Sequence, residues 1–219
     1  ITINTTNSTG ITDPNGMEVF LNNTFTFNYH FNIQGVGTGW SPYIEIYLPG
    51  NITLENVDYL GNTITPQKIG TFNSNGEGVK DPFNNSDISN PKYANYTLYT
   101  LEFPIGSFTN GTDDAVMYIK ALLNGNVTVG DIQMIYAKPV FIFSVDTFTP
   151  NNPTFGSEVI GYINPVVMNV VKNTTLHDYE TATGPNYPFP YYVDVTIANG
   201  KTVYNVTLND TLPNQLKFL

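Results

Sequence analysis

The stretch Phe25-Thr26-Phe27-Asn28-Tyr29-His30-Phe31-Asn32-Ile33 places an apolar residue at every second position and a polar one between. Successive side chains of a pleated strand leave on opposite faces, so a period of two marks a half-buried strand, not a helix. The register expected from it buries Phe27, Tyr29 and Phe31 on one sheet face and leaves Asn28 and His30 outside. Residues 43–48, 115–123, 132–143 and 191–197 repeat the pattern. They are rich in Val, Ile, Tyr, Phe and Thr, which suit a pleated, half-buried surface. Pro14-Asn15-Gly16, Pro49-Gly50, Asn75-Gly76, Asn124-Gly125 and Asn199-Gly200 punctuate them as turns. Many short strands with such turns spell a sandwich or barrel.

A shift of about 164 residues aligns the C-terminal part with the opening strand pattern. Phe27, Tyr29, Phe31 and Ile33 fall on Tyr191, Val193, Val195 and Ile197, with strand parity kept. Leu48-Pro49 falls on Leu212-Pro213, and Asn7-Ser8-Thr9 lies opposite Asn173-Thr174-Thr175 with a further shift of about two residues. The fold class expected is therefore all-β: tandem immunoglobulin-like β-sandwich domains, the second incomplete. Residues 1–164 form the first domain, and residues 165–219 supply the opening strands of the second. So few strands cannot bury an inner face, so the polypeptide is expected to continue.

Composition narrows the function. Of 219 residues only 12% are charged, against about 25% in ordinary globular chains. Fifteen Tyr, fourteen Phe and one Trp argue against a disordered acidic tail. The net charge is −10, Arg is absent, and the eight basic residues are all Lys. No basic track exists to follow a phosphate backbone, which excludes nucleic acid as a partner. The absence of Cys removes disulfides, thiolate metal sites and Cys nucleophiles together. The start, Ile1-Thr2-Ile3-Asn4, has no leader-like pattern and reads as a processed or excised chain.

Eleven Asn-x-Ser/Thr triplets begin at Asn4, Asn7, Asn22, Asn51, Asn84, Asn95, Asn110, Asn126, Asn173, Asn205 and Asn209. Chance in this composition supplies about four or five. Around Asn51, Asn126 and Asn205 the acceptor and its hydroxyl partner share a strand face, while Ile52, Val127 and Val206 take the opposite one. These positions are the expected glycosylation sites of an exported protein.

Three C-terminal pieces carry a resemblance. Glu180-Thr181-Ala182-Thr183-Gly184-Pro185-Asn186-Tyr187-Pro188 is followed by a strand from Tyr192 to Ile197 with its Ala198-Asn199-Gly200-Lys201 turn, then by Asn209-Asp210-Thr211-Leu212-Pro213. Together they resemble the sandwich modules of large bacterial and archaeal surface-repeat proteins, the "domain of unknown function eleven" type. The resemblance covers about the last 50 residues, and the first domain only through the internal repeat. That domain departs from the motif at Glu45-Ile46-Tyr47. The resemblance implies an extracellular, cell-envelope structural protein (surface layer, filament or adhesin). Its expected partners are neighbouring domains or copies of itself, or host or environmental glycans, and the resemblance brings no catalytic residues. Modules of this kind sometimes join Lys to Asn by an isopeptide bond, which makes Lys120, between Tyr118 and Leu122 on one strand face, the cross-link candidate.

Two loops carry oxygen ligands at alternate positions around a glycine turn, as calcium asks: Asp13, Asn15 and Glu18, then Asn75, Glu77 and Asp81. The same residues are ordinary turn formers, the competing reading. His30 and His177 lie far apart in sequence, and no nucleophile elbow or phosphate loop occurs. The chain therefore reads as a non-enzymatic structural or adhesive module. The alternative is a carbohydrate-binding module of a secreted protein, with Trp40 as its stacking platform.

Overall fold

The computed structural model describes residues 2–4 (backbone alone), 11–31, 38–109, 115–142, 153–174, 190–212 and 214. The chain is an all-β sandwich. One sheet has the order β1 (Thr2–Asn4), β3 (Thr24–Phe31), β12 (Ala115–Leu123), β5 (Ile52–Tyr59), β6 (Asn62–Ile64). The other runs β2 (Met17–Phe20), β15 (Val159–Val166), β13 (Gln133–Ile142), β4 (Thr38–Pro49), β10 (Tyr96–Glu102), β7 (Gln67–Thr71). Two short strands join its rim: β11 (Ser107–Thr109) on β4, and β14 (Pro153–Phe155) on β13. Two hairpin-like ribbons stand outside these sheets, β8 (Val79–Lys80) with β9 (Asp87–Ile88), and β16 (Met168–Thr174) with β17 (Tyr191–Ile197). Every ladder is antiparallel except β2 with β15.

Alternation fills the space between the sheets. Phe25, Phe27, Tyr29 and Phe31 of β3 meet Ile44, Ile46 and Leu48 of β4 in one core. Met117 and Ile119 of β12 join from one side, Ile135 and Ala137 of β13 from the other. Burying each large apolar side chain contributes about 1.5–3 kcal/mol. The rings add directed contacts: Phe27 meets Tyr29 edge-on at 5.6 Å, and Phe31 lies 5.2 Å from Phe103.

Phe27, Tyr29 and Phe31 are at most 1% exposed, as alternation requires. Asn28 departs from expectation, being only 7% exposed. Strands β1 and β12 flank it in the ladder, with Tyr118 directly beside it, so its short side chain is shielded between neighbours. His30 is half-buried. Pro139 sits inside β13 where its neighbour on one flank changes, β15 pairing as far as Ala137 and β14 from Val140. A residue without an N–H is tolerated at such a handover. Strand β15 runs through residue 164, the boundary expected from the repeat, and ends at Val166.

Truncating Phe27 to Ala deletes a ring that the core cannot collapse to fill. Chemical denaturation should show a loss of about 3–5 kcal/mol; a neutral result would mean that the register of β3 is wrong.

Candidate functional site

Strand β4 is buried on both faces. From Ile44 to Leu48 no residue is more than 1% exposed. Its even-numbered residues enter the main core, and Tyr47 enters a second cluster on the opposite face. That cluster joins Tyr47, Leu98 and Tyr136 of the sheet to Phe72, Val79 and Tyr93 of the excursion between β7 and β10. The excursion folds back over the sheet and turns its outer face into an interior.

Local chemistry shapes the excursion. Asn73 Oδ1 accepts from the backbone N–H of Asn75 at 2.8 Å and of Glu77 at 3.0 Å. Gly76 takes a positive φ of 76°, and a Cβ there would stand 2.0 Å from the Asn90 carbonyl oxygen. Only glycine fits that approach. Asn90 caps the 3-10 turn Pro91–Tyr93 by accepting from the Lys92 N–H, which delivers the Tyr93 ring onto Tyr47. The two rings stack at 4.1 Å with 14° between planes.

Glu45 lies at the base of this layer, 1% exposed. In the ladder its neighbours are Lys138 on β13 and Thr100 on β10. The Tyr47 hydroxyl donates to Glu45 Oε2 at 2.9 Å, while Oε1 has no hydrogen-bond partner. Lys138 Nζ lies 5.2 Å from the Tyr47 ring centroid and 5.6 Å from that of Tyr93, and donates to the Tyr47 hydroxyl at 3.5 Å. Above them Glu158 accepts from Lys92 Nζ at 2.6 Å and from the Tyr93 hydroxyl, tying the excursion to the approach of β15.

Burial raises the Glu45 carboxyl from about 4.5 to about 7; the Tyr47 hydrogen bond and Lys138 pull it down, and Asp81 adds to the rise. Burial also pushes the phenols of Tyr47 and Tyr93 far above their ordinary range, so both stay neutral. The site is an acid poised near neutrality beneath a lid of aromatic rings. Its geometry clamps the excursion to the sheet, and with Glu45 sealed no solute reaches the carboxyl in this arrangement.

Of the residues singled out in the sequence, Asn75, Glu77, Asp81, Asn84 and Asn95 lie in the excursion, and the rest lie outside it. Asp13 Oδ1 accepts from the Asn15 N–H and side-chain amide, bracing its own turn. Asp81 Oδ1 accepts from the N–H groups of Phe83 and Asn84, and Glu77 Oε1 takes a long bond from Ser89. Among the described residues no three His, Asp or Glu side chains converge as a metal cluster. Lys120 forms a surface ion pair with Glu55 at 3.0 Å and is half exposed. Such a pair is worth about 0–1 kcal/mol. Of the acceptor asparagines, Asn22, Asn84, Asn95, Asn126, Asn173, Asn205 and Asn209 are exposed, and Asn51 is half-buried beside Gln133. Asn7 and Asn110, with the Asn4 side chain and His177, lie outside the described residues. Ile52 and Val127 face the core as expected, whereas Val206 is 49% exposed. Trp40 lies within β4 beside a positive-φ Ser41 and is 41% exposed.

No family model matches the chain, and no curated protein does. Among solved structures the chain is similar to AvmM, which catalyses macrocyclization in alchivemycin A biosynthesis, at 10% identity and a TM-score of 0.41; the match takes in 68% of this chain and 82% of that one. It is similar to BcpA, the major pilin subunit of Bacillus cereus, at 12% identity and a TM-score of 0.33, over 72% of this chain and 39% of that one. Domains D2 and D3 of the major pilin SpaD from Corynebacterium diphtheriae match at 13% identity and a TM-score of 0.29, over 72% and 51%.

Because folding raises the Glu45 carboxyl, the native state holds a proton that the unfolded chain releases between pH 4.5 and 7. Stability should be highest, for this group, below pH 4.5 and fall by up to about 3 kcal/mol as pH climbs to 7. Glu45→Gln keeps an acceptor for Tyr47 and carries no charge. Denaturant melts across that range should show its slope flattened and its stability above pH 7 raised; an unchanged slope would assign the titration to another group.

Proposed function

We propose that the chain is a structural module of an extracellular surface protein, built on a sandwich repeated along the polypeptide and glycosylated on its exposed faces. The observation that carries this reading is a recurrence of register. In the first sheet Asn4 pairs with Asn28; in the C-terminal ribbon Asn173 pairs with Tyr192. The β17 position is shifted by 164 residues, the offset found in the sequence, and the β16 position by 169. Asn4-Thr5-Thr6 and Asn173-Thr174-Thr175 are identical triplets whose asparagines take matching ladder places, which supports pairing Asn173 with Asn4 in the repeat.

One face of the ribbon is the more apolar of the two. Met168, Val170, Tyr191, Val193, Val195 and Ile197 share one side with Lys172 and Thr174, and Asn169, Asn173, Asp194 and Thr196 share the other with Val171 and Tyr192. The root of the ribbon is fixed to the sandwich. Ala198 enters the main core, its N–H donates to the Val167 carbonyl, and Lys201 Nζ donates to the Gly125 carbonyl at 2.7 Å. A fixed joint between successive units suits a protein that bears load or holds spacing at a surface.

A second reading, a carbohydrate-binding module, is favoured by the exposed Trp40. Quenching of its fluorescence by soluble polysaccharide would select that reading.

Residues 1–166 alone should melt cooperatively, and residues 167–219 alone should show no cooperative transition. A sharp, concentration-independent melt of the C-terminal piece would contradict the repeat. Peptide mass spectrometry of native protein should find sugar on Asn84, Asn126 or Asn205; all three bare would refute the glycosylated surface.

A further inference from the structure

We propose that residues 72–95, the excursion between β7 and β10, form a pH-gated lid: when Glu45 ionises, the excursion lifts off the sheet as a unit and uncovers the aromatic row beneath it, while the sandwich stays folded. The inference goes beyond the surface-module reading and does not depend on the repeat.

The excursion is built to move as one piece. At its neck the Phe72 N–H donates to the Tyr96 carbonyl and the Asn95 N–H to the Asn73 carbonyl. Inside it the Asn90 N–H donates to the Gly76 carbonyl, and β8 pairs with β9. Side chains hold this piece to the sandwich. Tyr93 stacks on Tyr47, Phe83 meets Tyr43 at 5.1 Å and Phe155 at 6.4 Å, and Lys92 and Tyr93 both bond Glu158. Contacts of this sort part without breaking a strand ladder, which is how a weakly held unit opens within a stable domain.

The gate is a pair of carboxyl groups across the seam. Glu45 stands on the sheet, 1% exposed, and Asp81 on the lid, 9% exposed. Around Glu45 are Tyr47 on its own strand, Thr100 on β10, Lys138 on β13, and Asp81 and Tyr93 on the lid. Farther along the same face Tyr43 bonds Glu102. Glu45 Oε2 accepts from the Tyr47 hydroxyl and Oε1 from no group. With its proton on, the carboxyl is neutral and suits a dry seam. With the proton off, a poorly bonded charge is sealed in, and the negative charge of Asp81 opposes it. Lys138 compensates in part, but its ammonium is shared with the Tyr47 and Tyr93 rings, and Tyr93 leaves with the lid.

Water relieves the ionised acid, and lifting the lid is the least disruptive way to admit it. The closed form keeps its proton up to about pH 7, whereas an uncovered Glu45 releases it near the ordinary 4.5. Opening therefore grows as pH climbs through that interval and levels off above it. The surface uncovered is the row of Leu98, Tyr47 and Tyr136.

The chain has no cysteine of its own, so one introduced thiol reports each interior. Leu98 and Leu101 lie on the same strand and are both 0% exposed, the first under the lid and the second in the main core. Leu98→Cys and Leu101→Cys of the 1–219 protein are labelled with a thiol reagent in native buffer, with rates corrected for the thiolate fraction. The thiol at position 98 should label about tenfold faster or more than that at 101, since local opening exposes only the first. Its rate should rise about tenfold between about pH 6 and about pH 8.5, and adding Glu45→Gln should flatten that rise. Val79→Cys, a smaller change on the lid itself, should repeat the pattern if Leu98→Cys folds poorly. Equal labelling at 98 and 101 would make the opening global and overturn the lid. A rate at 98 that ignores pH, or a rise that survives Glu45→Gln, would overturn the gate.

Discussion

Everything in the sandwich is arranged around a strand that has no outside. From Ile44 to Leu48, β4 sends alternate side chains into two separate interiors, and the strand is paired with β10 on one edge and β13 on the other. A strand so placed cannot move without disturbing both cores, because packed interiors repack in discrete steps. The first core is the usual space between two sheets. The second exists only because the excursion after β7 closes over the outer face.

That closure brings a polar liability. A carboxyl group that would be harmless on an open sheet becomes sealed, and an ionised buried acid is costly unless paired. Here the cost is lowered by keeping the proton, by one hydrogen bond from Tyr47, and by Lys138 held over two rings. Glu158 fastens the lid from outside through Lys92 and Tyr93. The chain thus trades stability near neutral pH for a fixed position of the excursion, a trade that polar groups buried in cores are known to make in some proteins.

Much of this was legible in the residues. Period-two runs gave β3, β4, β12, β13 and β17 because a half-buried strand leaves its signature in each side chain. The buried acid was not legible, since alternation alone assigns Glu45 and Tyr47 to solvent. The signal lay in a different place. Phe72, Val79, Ile88 and Tyr93 punctuate a stretch rich in Asn, Gly and Asp that otherwise reads as loop, and they match the apolar row Leu98–Tyr47–Tyr136 across the outer face. Such a match is visible only after strands have been paired. Val206 misleads the other way: its neighbours alternate like a strand, yet it is 49% exposed on a segment that forms no strand.

The proposed repeat, joined through Ala198 and Lys201, predicts two levels of stability within one chain. The strands around β4 should open only when the whole sandwich unfolds, and the ribbon should open by itself through cheaper local fluctuations. Native-state amide hydrogen exchange of residues 1–219 measures both at once. Amides of Ile44 to Leu48 should exchange at the rate set by global unfolding, and those of Val193 to Ile197 about a hundredfold faster or more. Equal protection of the two strands would make β17 an integral part of the first sandwich, and would contradict its assignment as the opening of a second.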